Sequence, residues 1–203
     1  SLIQVQLDLY NSTRHPGNDT DTLQTIKMVT EQNDRLSRMV KTLLDMSELQ
    51  TVGRDEKIAV DALIDEVLAD LEPLAQEKNI KLAGKCKNTT MVGSDILIYR
   101  LVYNLVENAI KYNHPDGSVH IDIKDENGFA LISIKDTGIG IAPENQEKIF
   151  TPFFCVDKSR SRTMGGAGLG LALVAEIAQL HNGTVYVSES DSEGSTIILK
   201  LPL

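Results

Sequence analysis

Apolar residues recur at helical spacing along the first quarter of the chain. One apolar stripe covers residues 1–10, and a longer one runs from Thr22 to about Gln50. Residues 11–21, between the stripes, are rich in Ser, Thr, Pro and Gly, which is typical of a loop. The pattern predicts two helices joined as a hairpin, which is too narrow to bury its own stripe. Pairing with a second copy into a four-helix bundle would bury it.

The rest of the chain mixes the periods of strands and helices. It predicts short strands near 57–60, 80–83 and 89–92 and strand pairs within 119–135 and 184–201, the first pair around a turn at Glu126-Asn127-Gly128. It predicts helices from an Asp61 cap to about Lys78, from a Ser94 cap to Tyr112, and from Leu169 to His181. Strands with helices on one side indicate an α+β fold, a two-layer α/β sandwich. Residues 51–56 form a polar connector, so we place a hairpin domain at 1–52 and a second domain at 57–203.

Composition narrows the possible functions. The chain has 203 residues, 41% of them hydrophobic, and a net charge of −9, which argues against nucleic acid as a partner. Cys86 and Cys155 have no metal-site spacing and indicate a reducing, cytoplasmic compartment. No apolar run approaches the roughly 18 residues that span a bilayer. Because the chain begins at Ser1 within a helical pattern, we expect a longer parent, with any membrane contact outside this chain.

Three segments together predict a nucleotide site. On a helix, one broad face would present Asn104, Asn108, Lys111 and Tyr112. That face offers an amide oxygen for a hard cation, an ammonium for phosphate and a ring for a base. The segment Asp136-Thr-Gly138-Ile-Gly140 places a carboxylate beside a turn that can approach a flat ring closely. The segment Gly166-Ala-Gly168-Leu169-Gly170-Leu171 opens an apolar helix, whose N-terminus can receive anions.

The order of these segments resembles the ATP-binding domain of sensor histidine kinases, in the superfamily shared with gyrase, Hsp90 and MutL. The N box corresponds to residues 104–112, the two glycine boxes to 136–140 and 166–171, and the phenylalanine box to 150–154. The resemblance covers roughly 57–203 and implies a Bergerat-type ATP-binding fold with Mg²⁺-ATP as ligand. The hairpin resembles the kinase dimerisation hairpin, which implies a homodimer of the parent protein.

The resemblance and the side-chain chemistry assign roles within this site. Asn108 is the predicted Mg²⁺ ligand, and Asn104 would position a water or support the metal. Lys111 would contact phosphate, with Tyr112, Gly138, Gly140 and Ile141 near the base. Asp136 would accept a hydrogen bond from the adenine amino group, directly or with a bound water. We interpret Glu107, just off this face, as a solvated or ion-paired residue rather than a general base.

Residues 144–168 predict a lid, because they contain few periodic apolar positions. Within it, Lys158, Arg160 and Arg162 are either phosphate contacts or solvated charges. The family pattern commonly has an Arg where this chain has Cys155, so neutralisation of the transferring phosphoryl group would depend on the other cations.

The function implied is that of a protein-histidine kinase, which moves the γ-phosphoryl group of ATP to a histidine and then to an aspartate of a response regulator receiver domain. None of the 4 histidines has the His-Glu-x-x-x-Pro setting of the acceptor, which we expect upstream of Ser1. The chain should therefore bind ATP without autophosphorylating. His181 lies at a predicted helix C-terminus, where an imidazolium suits the helix dipole.

Two alternatives on the same fold stay open. One is a serine kinase of the anti-sigma type, although that class lacks a preceding hairpin. The other is a non-catalytic interaction module that keeps the nucleotide pocket as a switch, for which Cys155 is the only indication.

Overall fold

The computed structural model describes residues 20–85, 88–156 and 168–203. Its first element is a 29-residue helix, α1 (Thr20–Glu48), continued by a 3-10 turn at Leu49–Thr51. The long helix predicted from Thr22 is therefore present, whereas the first predicted helix and its loop lie outside the described residues. The 1–52 hairpin domain stays a prediction. Within the described ranges, no helix combines the length and hydrophobicity needed to cross a membrane.

The end of α1 is packed into the core of the domain that follows. Leu49 is only 1% exposed and belongs to the main hydrophobic cluster, against which Met46 and Val52 also pack. The Arg54 guanidinium donates to the carbonyl oxygens of Leu49 and Val52, at 3.4 and 3.3 Å. The predicted connector is thus partly anchored, because burying Leu49 fixes where α1 joins the domain.

In the part of the chain that the structure describes, seven strands form two sheets. They are β1 (Glu56–Ala59), β2 (Lys81–Lys85), β3 (Thr90–Gly93), β4 (Ser118–Glu126), β5 (Phe129–Asp136), β6 (Thr184–Asp191) and β7 (Gly194–Pro202). The main sheet has the order β2-β4-β5-β7-β6, with β2 and β4 parallel and its other neighbours antiparallel. Strands β1 and β3 form a separate antiparallel pair. Asn127 and Gly128, both at positive φ, make the two-residue turn between β4 and β5, as the sequence predicts.

Among the described residues, three further helices belong to the domain: α2 (Val60–Gln76), α3 (Asp95–Lys111) and α4 (Gly170–Leu180). Their apolar faces and the inward residues of the main sheet share one buried cluster. Helix α3 lies against both α2 and α4, so it is central to the helical layer. The two-layer α+β architecture is confirmed.

One predicted helix cap is wrong, and the other is correct in position. Helix α2 begins at Val60 after an Ala59 cap, so Asp61 lies in its first turn, where a carboxylate still suits the dipole. Ser94 does occupy the cap position of α3, but its side chain makes no capping hydrogen bond with any described residue.

His181 lies next to Ser94. Its Nε2 accepts the Ser94 backbone N–H at 3.0 Å, and its Nδ1 lies 2.9 Å from the Ile177 carbonyl oxygen. The ring is 5% exposed. Burial, together with the charge of Arg54, lowers the pKa of His181, although its bond to Ile177 acts in the opposite direction. The sequence predicts an imidazolium at this helix end, whereas the buried contact requires neutral imidazole, since Nε2 must carry a lone pair.

Candidate nucleotide-binding site

Helix α3 positions one end of the site. Its Leu101 and Leu105 are buried in the core, and the 3.6-residue period places Asn104 and Asn108 beside that face, partly exposed. The Asn104 amide nitrogen donates to the Arg100 carbonyl oxygen at 2.7 Å. This bond orients the amide and leaves Oδ1 directed away from its own helix.

The first turn of α4 lies against these two amides. A Cβ added at Gly170 would be 2.9 Å from Asn104 Oδ1 and 3.8 Å from Asn108 Nδ2. Leu169, at the cap position, is buried, and Leu171 packs against the core, so the start of α4 is fixed. The structure therefore places Asn104 and Asn108, the residues predicted to support a metal ion, beside the N-terminus of α4. The free N–H groups of a helix N-terminus favour anions such as phosphate.

The other end of α3 meets the first glycine turn. The Ile139 N–H donates to the Tyr112 carbonyl oxygen at 3.2 Å, and Asn113 and Gly138 form an isolated β-bridge. A Cβ at Gly138 would lie 2.4 Å from that same carbonyl oxygen, so the close approach requires glycine. Tyr112 and the turn that begins at Asp136 are thereby held side by side.

Asp136 is partly buried at this junction. Its Oδ1 accepts the Gly138 N–H at 2.8 Å. Burial raises the pKa of Asp136, and the bonds from the Gly138 and Ser195 amides offset only part of that rise. Oδ1 has a backbone donor, and the carboxylate retains further acceptor capacity for a ligand.

The far side of the turn rests on β6. Gly140 has a φ of +68°, and a Cβ there would be 1.7 Å from the Asp191 carbonyl oxygen. The Ile141 N–H donates to Ser190 Oγ at 2.7 Å. Sequence reasoning missed Ser190, because its position opposite Ile141 depends on the register of the β6–β7 pair.

A second supporting network was also missed. The Thr137 hydroxyl donates to Asn113 Oδ1 at 3.0 Å and accepts the Ser118 N–H at 2.8 Å. Thr137 lies between Asp136 and Gly138, so its place in the glycine turn was the only available signal. These bonds tie the turn to the start of β4.

Lys111 is paired within its own helix. Its Nζ lies 2.9 Å from Glu107 Oε2, and both side chains are 26% exposed. The interpretation of Glu107 as an ion-paired residue is confirmed. A phosphate contact by Lys111 would therefore involve an exchange of partners, which is inexpensive because exposed i,i+4 pairs contribute only about 0.3–0.5 kcal/mol.

The described part of the predicted lid contacts the second glycine segment at Gly168. The Phe153 N–H donates to the Gly168 carbonyl oxygen at 2.8 Å, and both residues have positive φ. A Cβ at Gly168 would be 3.0 Å from Cys155 Sγ.

Burial, and then the charges of Cys155 and Glu107, raise the pKa of Tyr112, so its phenol stays neutral. Lys158, Arg160, Arg162 and Gly166 lie outside the described residues, and their roles stay predictions.

Comparison with known proteins decides the family. Residues 93–203 match the family model described as histidine kinase-, DNA gyrase B-, and HSP90-like ATPase. This chain belongs to that ATPase family. The match spans both glycine segments and the whole of α3, which are the elements that carry the candidate site.

Among curated relatives, the chain is 36% identical to sensor histidine kinase RppB of a Synechocystis species, over 86% of this chain and 40% of RppB. It is 36% identical to the sensor-like histidine kinase SenX3 of Mycolicibacterium smegmatis, over 92% of this chain and 50% of SenX3. The chain thus spans about half the length of these relatives or less. Their names identify the family region as the ATP-binding catalytic region of sensor histidine kinases and do not support the serine-kinase or interaction-module alternatives.

Solved structures of histidine kinases have a fold similar to that of this chain. The mycobacterial sensor histidine kinase MprB matches with a TM-score of 0.63 and 27% identity, covering 73% of this chain and 97% of that one. A catalytic domain of the histidine kinase ThkA matches with a TM-score of 0.65 and 26% identity, covering 74% and 98%. ThkA in complex with the response regulator TrrA matches 99% of this chain and 56% of that chain, with a TM-score of 0.74. At 24% identity that last likeness shows the fold alone.

Proposed function

We propose that this chain binds Mg²⁺-ATP between α3 and α4 and presents its γ-phosphoryl group for transfer to a histidine. One observation carries the proposal: α3 joins both ends of the site. Asn104 and Asn108 lie at the N-terminus of α4, and Tyr112, at the end of the same helix, contacts the Asp136 turn. Asn104 and Tyr112 are eight residues apart, so the phosphate end and the base end are separated by about 12 Å, or just over two helical turns.

The base end suits adenine. The Asp136 carboxylate accepts hydrogen bonds only, so it favours the adenine amino group and disfavours the oxo group that guanine carries there. The neutral Tyr112 ring supplies apolar area at low entropic cost. Gly138 and Gly140 keep side chains out of the turn, which leaves the backbone free to approach a flat ring.

The phosphate end fits a magnesium ion that is held largely by the nucleotide. In the residues the structure describes, no three or more His, Cys, Asp or Glu side chains cluster as a metal site of their own. Mg²⁺ keeps several waters and takes phosphate oxygens as ligands, so one amide oxygen from Asn108 suffices. In the structure the Asn108 Nδ2 is the atom nearer to Gly170, and a rotation of the amide would present Oδ1 there instead. Asn104 Oδ1 is placed to accept a hydrogen bond from a metal-bound water.

The proposed reaction is transfer of the γ-phosphoryl group to a histidine nitrogen and then to an aspartate of a response regulator. The protein's contribution would be positioning and charge neutralisation, as in other phosphoryl transfers. ThkA has been solved with a response regulator, which supports a partner of that class here. Lys158, Arg160 and Arg162 would supply the positive charge that Cys155 does not.

We also propose that residues 1–52 form the dimerisation hairpin and 57–203 the catalytic domain. Leu36, Val40 and Leu44 of α1 are exposed and line a shallow apolar hollow with Ser37. A stripe of this kind is expected to be buried against a second copy in a four-helix bundle.

Calorimetric titration with ATP and GTP, with and without Mg²⁺, tests the binding step. We expect ATP to bind more tightly than GTP and Mg²⁺ to strengthen binding. Equal affinities for ATP and GTP would reject the assignment of the Asp136 turn.

Labelling with radioactive ATP tests the transfer step. No acid-labile, base-stable phosphate should form on this chain, because none of its histidines has the acceptor setting. A hairpin that carries the acceptor, added in trans, should become labelled. Label on this chain that disappears in His15→Ala would show that the hairpin was misinterpreted, and acid-stable label would instead indicate a serine kinase.

A further inference from the structure

The end of α3 is held by a lysine from a distant part of the chain. Lys78 follows α2, yet its Nζ lies 2.7 Å from the Lys111 carbonyl oxygen and 3.3 Å from that of Ile110. These contacts join residues 33 and 32 positions apart. The last carbonyls of a helix lack partners within the helix and carry its negative dipole end, so an ammonium suits them well.

The backbone of Lys78 is tied to the same place. Its carbonyl oxygen accepts the Asp116 N–H at 3.3 Å, in the loop that follows α3, and its own N–H donates to Ala75 at 3.1 Å. Lys78 therefore contacts the chain both before and after the turn that follows α3, through its ammonium and its backbone. This arrangement restrains the side chain and limits the entropy lost when it contacts the carbonyls.

The restrained peptides lead directly into the nucleotide site. Lys78 binds the carbonyls of residues 110 and 111, and the next carbonyl, that of Tyr112, accepts the Ile139 N–H at 3.2 Å. Three successive carbonyls are thus fixed, two by Lys78 and one by the glycine turn. A shift of the Lys111 peptide would move the Tyr112 ring relative to Asp136.

We propose that Lys78 is a positioning residue for nucleotide binding, which sets the Tyr112 side of the site by holding the last turn of α3. The inference rests on the proposed nucleotide site. Burial, and then repulsion from Lys111, lower the pKa of Lys78, as expected for an ammonium placed among protein groups rather than in open solvent.

Three variants test this role. Lys78→Met keeps the aliphatic stem and removes the ammonium, and Lys78→Arg restores a charged donor. Lys81→Met is the matched control, because Lys81 lies three positions further on with an exposed side chain. We expect ATP affinity to fall roughly tenfold in Lys78→Met, to recover in part in Lys78→Arg and to stay unchanged in Lys81→Met.

Two further readouts separate positioning from simpler effects. If Lys78 acted only through its charge, ATP would lose more affinity than ADP, whereas displacement of Tyr112 affects both nucleotides equally. Amide exchange followed by NMR reports on the Ile139 N–H, which should exchange faster in unliganded Lys78→Met. A general loss of stability would accelerate exchange throughout the core, including buried β5 residues such as Ile132.

The outcomes are distinct. Wild-type protein that fails to bind ATP would overturn the proposed function and this inference with it. Wild-type binding with a Lys78→Met affinity within twofold, or with a loss confined to ATP, would overturn only the role of Lys78. If Lys78→Met does not fold, Lys78→Leu removes the ammonium in the same way and is compared with Lys81→Leu.

Discussion

Replacing Asp136 with asparagine should separate ligand recognition from fold stability. Asparagine keeps an oxygen that can accept the Gly138 N–H, a bond of 2.8 Å in the structure, so the glycine turn should remain. It also removes a carboxylate whose pKa burial raises. A raised folded-state pKa means that the ionised carboxylate destabilises the fold at pH values above that pKa. At pH 8, Asp136→Asn should therefore be at least as stable as the wild type.

Its effect on ATP should be the opposite. The new amide turns an N–H donor toward the adenine amino group, also a donor, so one partly buried group is left without its partner. Such a mismatch costs about 1–3 kcal/mol, or roughly 5- to 150-fold in affinity. GTP should lose less or gain, because the new donor suits the guanine oxo group.

Calorimetric titration with both nucleotides and chemical denaturation at the same pH provide the measurement. Asp122→Asn makes the same chemical change on β4, where the carboxylate lies 3.6 Å from Lys124, and should alter neither nucleotide affinity. Unchanged ATP binding by Asp136→Asn, or an affinity loss accompanied by an equal loss of stability, would refute the assigned role.

Two other changes test the framework of the site. Gly140→Ala should lower the free energy of unfolding by roughly 2–4 kcal/mol, because its Cβ would lie 1.7 Å from the Asp191 carbonyl oxygen at a φ of +68°. Gly128→Ala, at a φ of +80° with nothing within 4 Å of the added Cβ, should lose only the roughly 1–2 kcal/mol that a left-handed backbone costs a non-glycine residue. Equal losses of stability at the two positions would contradict a collision between the residue-140 Cβ and Asp191. The lowered pKa of His181 predicts that its contribution to stability is complete above pH 6.5 and is lost as the pH falls below that value. Denaturation from pH 7.5 to 5 should show this decline in the wild type and in His120→Gln but a weaker one in His181→Gln. The same decline in both variants would contradict a stabilising role for the buried hydrogen bond between His181 and Ser94.

The sequence by itself determined the parts of this protein that depend on local spacing. The 3.6-residue period placed Asn104, Asn108 and Tyr112 along one helix, and the Asn127-Gly128 turn located the β4–β5 hairpin. The glycine turn after Asp136 was recognisable because short, side-chain-free segments have few alternative uses.

Only the tertiary structure decided which distant residues support the site. Lys78 reaches α3 across 33 positions, and His181 meets Ser94 across 87. Such contacts depend on how the helices and strands pack, and no local periodicity encodes the distance between two elements. The same reason explains why the His181 ring beside Ser94 was not predicted: a serine at a cap position is a local signal, whereas the imidazole that accepts the Ser94 N–H is brought there by the packing of α4.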